Sequence, residues 1–410
     1  MDLNVQRVTH IKKCYPFPKI CALSTAKGMN VDMKKAVVIG AGQTGRGYVT
    51  RYLTEKNYDI VFIDINHKLV EKMDKDKEFS IHFYNRDRTP VHVSDYKVYD
   101  VYTKEAEEAI HESDYIFTAV GEQNLKDVAK QIKEGFENKQ KNTVIITCEN
   151  GINPARVLRN SLQDLGCLKG YVISQTAVFC STVNLLQTRL DILSQNETYF
   201  PYDCDEFTGD FDFSGAVKVH NFEKFLKRKI YTYNCLAGLI SYCGYIKGYK
   251  VYGEAANDME ISELMDRLLK ELNPALAKYF EIDIKDQEDF ANRALTKFKD
   301  KNILDYTIKN GRDAKRKLGP TERIIAPMQI IANNGGDVRI LEFNAAAALC
   351  YWEEQKDNGR EAKYLTTPFD EFYKIAGIDA DSEITHSVDK YLEEIKKSRA
   401  SISLIEIIYD

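Results

Sequence analysis

Three short stretches of the chain place chemically capable residues at informative spacings. Gly40-Ala41-Gly42-Gln43-Thr44-Gly45 follows the apolar run Ala36-Val37-Val38-Ile39 and opens a helix-like stretch that runs to Lys56. In a G-x-G-x-x-G turn of this kind the first glycine permits the tight bend, and the second lets backbone approach a pyrophosphate. The third lets the helix pack close to the strand, with the helix N-terminus aimed at the anion. Gly40, Gly42, Gln43, Thr44 and Gly45 are therefore candidate dinucleotide contacts. Asp64 ends the next strand, Ile60-Val61-Phe62-Ile63-Asp64. A carboxylate there accepts hydrogen bonds from an adenosine ribose diol and repels a 2′-phosphate, which predicts NAD over NADP. Asn66 and His67 follow directly and leave use of both cofactors open. The alternative is a glycine turn that serves packing alone, with Asp64 as a strand-end cap.

Cys148-Glu149-Asn150-Gly151 leaves another apolar run, so Asn150 falls at the carboxyl edge of a sheet, where open α/β folds bind ligands. It is a hydrogen-bonding partner for a substrate oxygen or an ordinary Asn-Gly turn. Arg228-Lys229-Ile230-Tyr231-Thr232-Tyr233-Asn234 opens a long helical run. A lysine in an apolar wall beside a positively charged nicotinamide has its pKa lowered toward neutrality and can take the proton of a secondary alcohol as hydride leaves. A nearby Asn can hold the alkoxide oxygen. A solvated helix lysine is the common alternative, and composition alone does not choose between them. Lys309, Arg312, Lys315, Arg316 and Lys317, opposed by Asp313, form one basic cluster, and Lys224, Lys227, Arg228 and Lys229 form another. Both suit a phosphate or carboxylate on the substrate, and both equally suit a solvated face.

The elements that must position these groups alternate. Strand-like runs at 36–39, 60–64, 115–120 and 143–148 are separated by helical stretches, which implies an α/β, doubly wound parallel sheet with right-handed crossovers. Beyond 205 the runs 222–245, 260–281 and 286–300 carry apolar residues at helical spacing. The expected organisation is an extension at 1–33 without apolar periodicity, a nucleotide-binding domain at 34–205 and a mostly helical substrate domain at 206–410. The turn-rich segment 200–215 suits a linker or an excursion.

At 410 residues, 44% hydrophobic and 29% charged, the chain has material for a sizeable core, and disorder or a small disulfide scaffold is excluded. No run approaches the roughly eighteen apolar residues of a membrane span, and the basic N-terminus lacks an apolar signal region, so a cytoplasmic protein is expected. A net charge of -5 argues against a nucleic-acid partner. The nine cysteines and seven histidines show no C-x-x-C or H-x-x-x-H spacing, so no metal is assigned, although ligands brought together from distant segments stay possible. A monomer or homodimer with a small-molecule substrate is the expected state.

Taken together, these strings resemble the polyol-specific long-chain dehydrogenases, or mannitol dehydrogenase family, and within it the mannitol-1-phosphate 5-dehydrogenase branch. The resemblance runs through most of residues 35–352. It rests on GAGQTGRG from Gly40, on Thr118-Ala119-Val120-Gly121 at the third strand end, and on Cys148-Glu149-Asn150-Gly151. RKIYTYN from Arg228, GRDAKRKL from Gly311, and then Glu322, Arg323 and Pro327 follow in the family's order. The resemblance implies a Rossmann-type domain followed by a helical one, with the substrate between them. It also implies Lys229 as general base, Asn150 and Asn234 holding the reacting oxygen, no metal, and cofactor contacts from Ala119, Val120 and Gly121. With the basic clusters it points to Arg316, Lys317 and Arg228 as contacts for an anionic sugar derivative. Two segments depart from the pattern. Ala237 stands where the family carries a His, which implies a lost hydrogen-bonding group, and Asn184-Leu185 stands where it carries Asp-Arg, which implies an acidic and a basic side chain lost near the active site. The departures leave three readings: a remodelled polyol phosphate dehydrogenase, a dehydrogenase of a sugar acid or other alcohol, or a nucleotide-binding homologue without turnover. His220 and Tyr233 are near enough in the chain to replace the missing His, but a lone His is more often a surface or core residue, which is the preferred reading of His220.

Overall fold

Val37 and Ile39 of β1 (Lys35–Ile39) face one apolar core, and Ala36 and Val38 face another. In β2 (Asp59–Asp64), Val61 and Ile63 share the first core, and Ile60 and Phe62 share the second. A strand buried on both faces is the signature of a parallel sheet covered on each side. The computed structural model describes residues 33–84, 88–137, 139, 141–185, 190–357, 368–398 and 403–409. The extension at 1–33, apart from Met33, lies outside the described residues, as do Cys14, Cys21 and Leu186.

The next strands are β3 (Glu78–Phe83), β4 (Val91–Ser94), β5 (Lys97–Asp100), β6 (Tyr115–Thr118), β7 (Thr143–Thr147) and β8 (Tyr171–Gln175). Six of them form an all-parallel sheet in the order β5-β2-β1-β6-β7-β8. The chain runs outward from β1 through β2 and returns to β6 on the other side of β1. The switch point therefore lies between β1 and β6, where such sheets bind ligands. This is the Rossmann-type domain that the sequence implies.

One face is covered by the helices Lys104–Glu112, Leu125–Gly135 and Pro154–Asp164, through Ile110, Ile132 and Leu158. The other face was not legible in the sequence. There β3 and β4 join β9 (Thr182–Asn184) and β10 (Ile192–Ser194) in a mixed sheet of order β4-β3-β10-β9. These strands are short, and the pairing that joins the two hairpins, Ile81 of β3 with Ile192 of β10, is between remote parts of the chain.

The segment 200–215 is not a bare linker. β11 (Phe200–Asp203) pairs in parallel with β12 (Ala216–Val219), and Phe211 and Phe213 stack with ring centroids 5.3 Å apart. Phe213 also meets Tyr52 at 5.6 Å and Phe200 at 5.2 Å, so the segment packs into the core under the sheet and extends that unit past residue 205.

The remainder is helical. Cys235–Ile246 is apolar nearly all round, and the adjoining helix Arg339–Asp357 carries four fully buried alanines, Ala345, Ala346, Ala347 and Ala348. Such small residues let neighbouring helices approach closely. Met259–Phe280 and Ile284–Lys299 complete the same core. No described helix is long and apolar enough to cross a membrane.

Candidate active site

The glycine turn closes the end of β1 against β6. Gly40 has a φ of +99°, and a Cβ there would lie 2.6 Å from Ala119 O; one at Gly45 would lie 2.0 Å from Gly40 O. Neither position admits a side chain, so the turn and the helix after it are held against the strand ends. A Cβ on Gly42, by contrast, would meet nothing within 4 Å. That open backbone fits the approach of a pyrophosphate. Gln43 and Thr44 lead into the turn Gly45–Val49 at the helix start.

Two carboxylates brace this cradle. Asp64 accepts from Ala41 N at 2.7 Å through Oδ2 and from Asn66 N at 2.8 Å through Oδ1. Buried Glu149 accepts from Val120 N at 3.0 Å and from Gly121 N at 2.7 Å, tying the end of β7 to the turn after β6. Asp64 pairs in register with Asp100 of β5, whose carboxylate lies 3.3 Å from His67 Nδ1. The expected preference for a ribose diol over a 2′-phosphate rests on these two carboxylates. Asp64→Ala is expected to weaken NADH binding about tenfold while changing NADPH binding less, as measured by calorimetry. Equal losses would leave Asp64 only its bracing role at Ala41.

Lys229 ends the helix Phe222–Lys229 and is buried. Its Nζ donates to Val178 O at 2.9 Å and to Asn150 Oδ1 at 3.3 Å, and it lies 5.1 Å from the centre of the Phe179 ring. Burial, with the charges of Lys297 and Arg323 beside it, lowers its pKa to about 7. Lys297 Nζ donates to Phe179 O, so consecutive carbonyls hold the two amines.

Lys229 and Asn234 are five residues apart, and on a regular α-helix they would point about 140° away from each other. The backbone solves this with a π turn, Ile230–Asn234, in which Cys235 N donates to Ile230 O. A turn of this width stacks residues five apart, and such turns are frequent at functional sites. Asn150, Lys229 and Asn234 consequently line two adjoining cavities together, of about 420 and 200 Å³. Ala237 borders the larger one, three residues beyond Asn234, so the position of the absent His does face the cleft.

Arg316 and Lys317 also line the larger cavity, with Lys309, Arg312 and Arg323, against Asp300, Asp305 and Asp313. Arg316 is shared between Asp313, at 2.5 Å, and Glu322. Lys317 donates to Asn310 O at 2.6 Å, and burial lowers its pKa to about 7. Lys297 and Arg323 are the members that the reading of the sequence missed. Lys297 gives no local signal on its helix, whereas Arg323 was visible as part of an ordered motif.

Two expectations are corrected. Arg228 does not line either cavity: its Nη1 donates to Asp286 at 2.9 Å, its Nε to Gln287 at 2.8 Å, and its guanidinium lies over Phe290. It is a buried cross-brace between helices. Asn184 and Leu185 likewise stand outside the cavity lining, and Asn184 Oδ1 accepts from Arg46 Nη2 at 3.0 Å. His220 does not replace the missing His, because it is exposed and paired with Asp205. Tyr233 does line the cavity.

Two family models match in tandem: the mannitol dehydrogenase Rossmann domain over residues 34–197 and the mannitol dehydrogenase C-terminal domain over residues 221–406. The chain belongs to the mannitol dehydrogenase family. It is 26% identical over 388 residues to mannitol-1-phosphate 5-dehydrogenase of Thermoanaerobacter pseudethanolicus, covering 89% of this chain and 99% of that protein. It is 28% identical over 343 residues to the Clostridium acetobutylicum protein of the same name, covering 79% and 89%. In structure it is similar to Pseudomonas fluorescens mannitol 2-dehydrogenase, solved as a ternary complex with NAD and D-mannitol. That similarity has a TM-score of 0.74 at 12% identity and covers 92% of this chain and 94% of that one. A D-sorbitol dehydrogenase in substrate-free form follows at a TM-score of 0.66 and 13% identity, covering 92% and 95%. At these identities the structural likeness shows the fold.

Proposed function

We propose that this chain is an NAD-dependent oxidoreductase that interconverts a secondary alcohol and a ketone on a polyol phosphate or related sugar derivative, of the mannitol-1-phosphate/fructose-6-phosphate type. The observation that carries the reading is Lys229, a buried amine with a pKa near 7 that borders both cavities beside Asn150 and Asn234. The names of the sequence relatives support the substrate class. When bound, the nicotinamide supplies the hydride acceptor.

The chain's own residues handle the proton and the oxygen. Neutral Lys229 Nζ takes the hydroxyl proton, and the reading needs no metal ion. Asn150 accepts from Lys229 through Oδ1, which orients the base and leaves its amide N–H groups to donate to the substrate oxygen. Asn234, which lines both cavities with Lys229, is the second donor to that oxygen in this reading. Charge on the alcohol oxygen grows as the proton leaves, so these donors stabilise the transition state more than the ground state. Arg312, Arg316 and Arg323 present guanidinium groups to a phosphate, with Lys317 beside them.

The test is NAD reduction and NADH oxidation, followed at the nicotinamide absorbance, across hexitol phosphates, ketose phosphates, free polyols and sugar acids. Turnover is expected with a phosphorylated substrate. Turnover with sugar acids alone would replace the phosphate reading. Silence across the panel, with NADH still binding by calorimetry, would favour a nucleotide-binding homologue, a reading that Ala237 supports by removing a polar group from the cleft. Ala237→His adds a further measure: increased mannitol-1-phosphate oxidation is expected if Ala237 reshaped an active pocket, and no gain would count against it.

A further inference from the structure

Cys204, Asp205 and His220 take no part in the reaction and line neither cavity of the active site. They meet because β11 and β12 are parallel and in register, Asp203 opposite Val219, so the residues that leave the two strands emerge side by side. Cys204 N continues the ladder to Val219 O at 3.2 Å. His220 Nδ1 lies 3.5 Å from Cys204 Sγ and 2.6 Å from Asp205 Oδ1, and the three donor atoms all lie within 4.8 Å of one another.

One ring nitrogen facing both a thiol and a carboxylate is an inefficient hydrogen-bond arrangement, because Nδ1 carries at most one proton. It is, however, how ligands converge on a metal ion. Bonds of about 2.3 Å to sulfur and about 2.0–2.1 Å to nitrogen at a tetrahedral angle separate S and N by about 3.6 Å. The Cys204–His220 pair already has nearly that spacing. The His220–Asp205 contact is a hydrogen bond and would open by about 0.8 Å to become a coordination edge. Both side chains have room to do so, with 82% of the His220 side chain and 48% of that of Asp205 exposed.

We propose that Cys204, Asp205 and His220 bind a borderline divalent transition metal, Zn²⁺, with water completing the tetrahedron. Thiolate, imidazole and carboxylate together select such an ion over Mg²⁺ or Ca²⁺. Binding releases the thiol proton of Cys204 to solvent and leaves His220 as the neutral tautomer that is protonated on Nε2; a doubly protonated ring would release one further proton. Without the ion, burial and the neighbouring Asp205 carboxylate hold the Cys204 thiol above its ordinary pKa; a dication reverses that balance. Asp205 Oδ2 accepts from Asn221 N at 2.7 Å, and Asn221 caps the helix Phe222–Lys229. The ion would therefore pin the strand ends to the start of the helix that ends at Lys229.

The experiment is a Co²⁺ titration of the reduced full-length protein, with Zn²⁺ displacement, which reads the site without reference to activity. One equivalent of Co²⁺ is expected, with a thiolate-to-cobalt charge-transfer band and tetrahedral d–d bands that Zn²⁺ abolishes. Cys204→Ser should remove the charge-transfer band, and His220→Gln should weaken Zn²⁺ binding by more than about tenfold. His220→Gln alters an exposed side chain, so its fold is expected to be retained, as checked by circular dichroism. Absence of the bands at micromolar metal, or identical bands in both variants, would overturn the assignment and leave the trio a hydrogen-bonded cluster.

Discussion

Lys229→Met is expected to lower kcat/KM for alcohol oxidation by about a thousandfold, the scale of a lost general base. NADH affinity should stay within a few-fold, because the cradle at Gly40, Asp64 and Glu149 is built from other residues. The wild-type pH profile should show the same group. Oxidation needs the neutral amine and should rise with a slope of one proton to a plateau above about pH 7; ketone reduction needs the ammonium and should fall through the same region. Retained turnover in Lys229→Met, or a flat profile, would remove Lys229 from the chemistry. Stability supplies an independent readout. The folded-state pKa, about 7, lies below the ordinary 10.5, so between these values the folded chain holds fewer protons than the unfolded one and stability rises with pH. Below about pH 7 both states carry the ammonium, and the burial penalty stands in full, on the order of 5 kcal/mol for a shift of this size. Lys229→Met should therefore raise Tm more at pH 6 than at pH 10. Equal changes at both would show that the amine is not buried as a charge.

Asn234→Ala is expected to reduce kcat by about a hundredfold to a thousandfold with a smaller change in KM, as for loss of one donor to a developing oxyanion. Asn234→Asp should be at least as damaging at pH 8, since it replaces a donor with a negative charge beside the reacting oxygen. A change confined to KM would make Asn234 a ground-state contact only. The π turn is what permits this role, because on an unbroken α-helix Asn234 would face away from Lys229. Asn150→Ala differs in kind: it removes the acceptor on Lys229 Nζ and should also displace the pH profile.

Elements that depend on neighbours in the chain were readable from the sequence. The β1 turn, Asp64 at the end of β2 and the parallel strands follow from local steric rules and from the burial pattern of each strand. Asn150, Lys229 and Asn234 were nameable from their motifs, but their chemistry was not decided there. A lysine on a helix is ordinarily solvated, and only the tertiary structure sets Lys229 against Val178, Phe179, Lys297 and Arg323, where loss of water and like charge lower its pKa. The same dependence on distant partners explains the corrections. Arg228 looked like a substrate contact in a basic run, but Asp286 and Gln287 take its guanidinium. Segment 200–215 looked like a linker or an excursion from its turn residues, but Phe211 and Phe213 fill the core beneath the sheet. Cys204 and His220 lack ligand spacing along the chain and become neighbours through the parallel register of β11 and β12. Residue types and local periodicity determined which groups this protein has available. Packing between remote segments decided which of them lost water and acquired charged or hydrogen-bonding partners, and hence which can react.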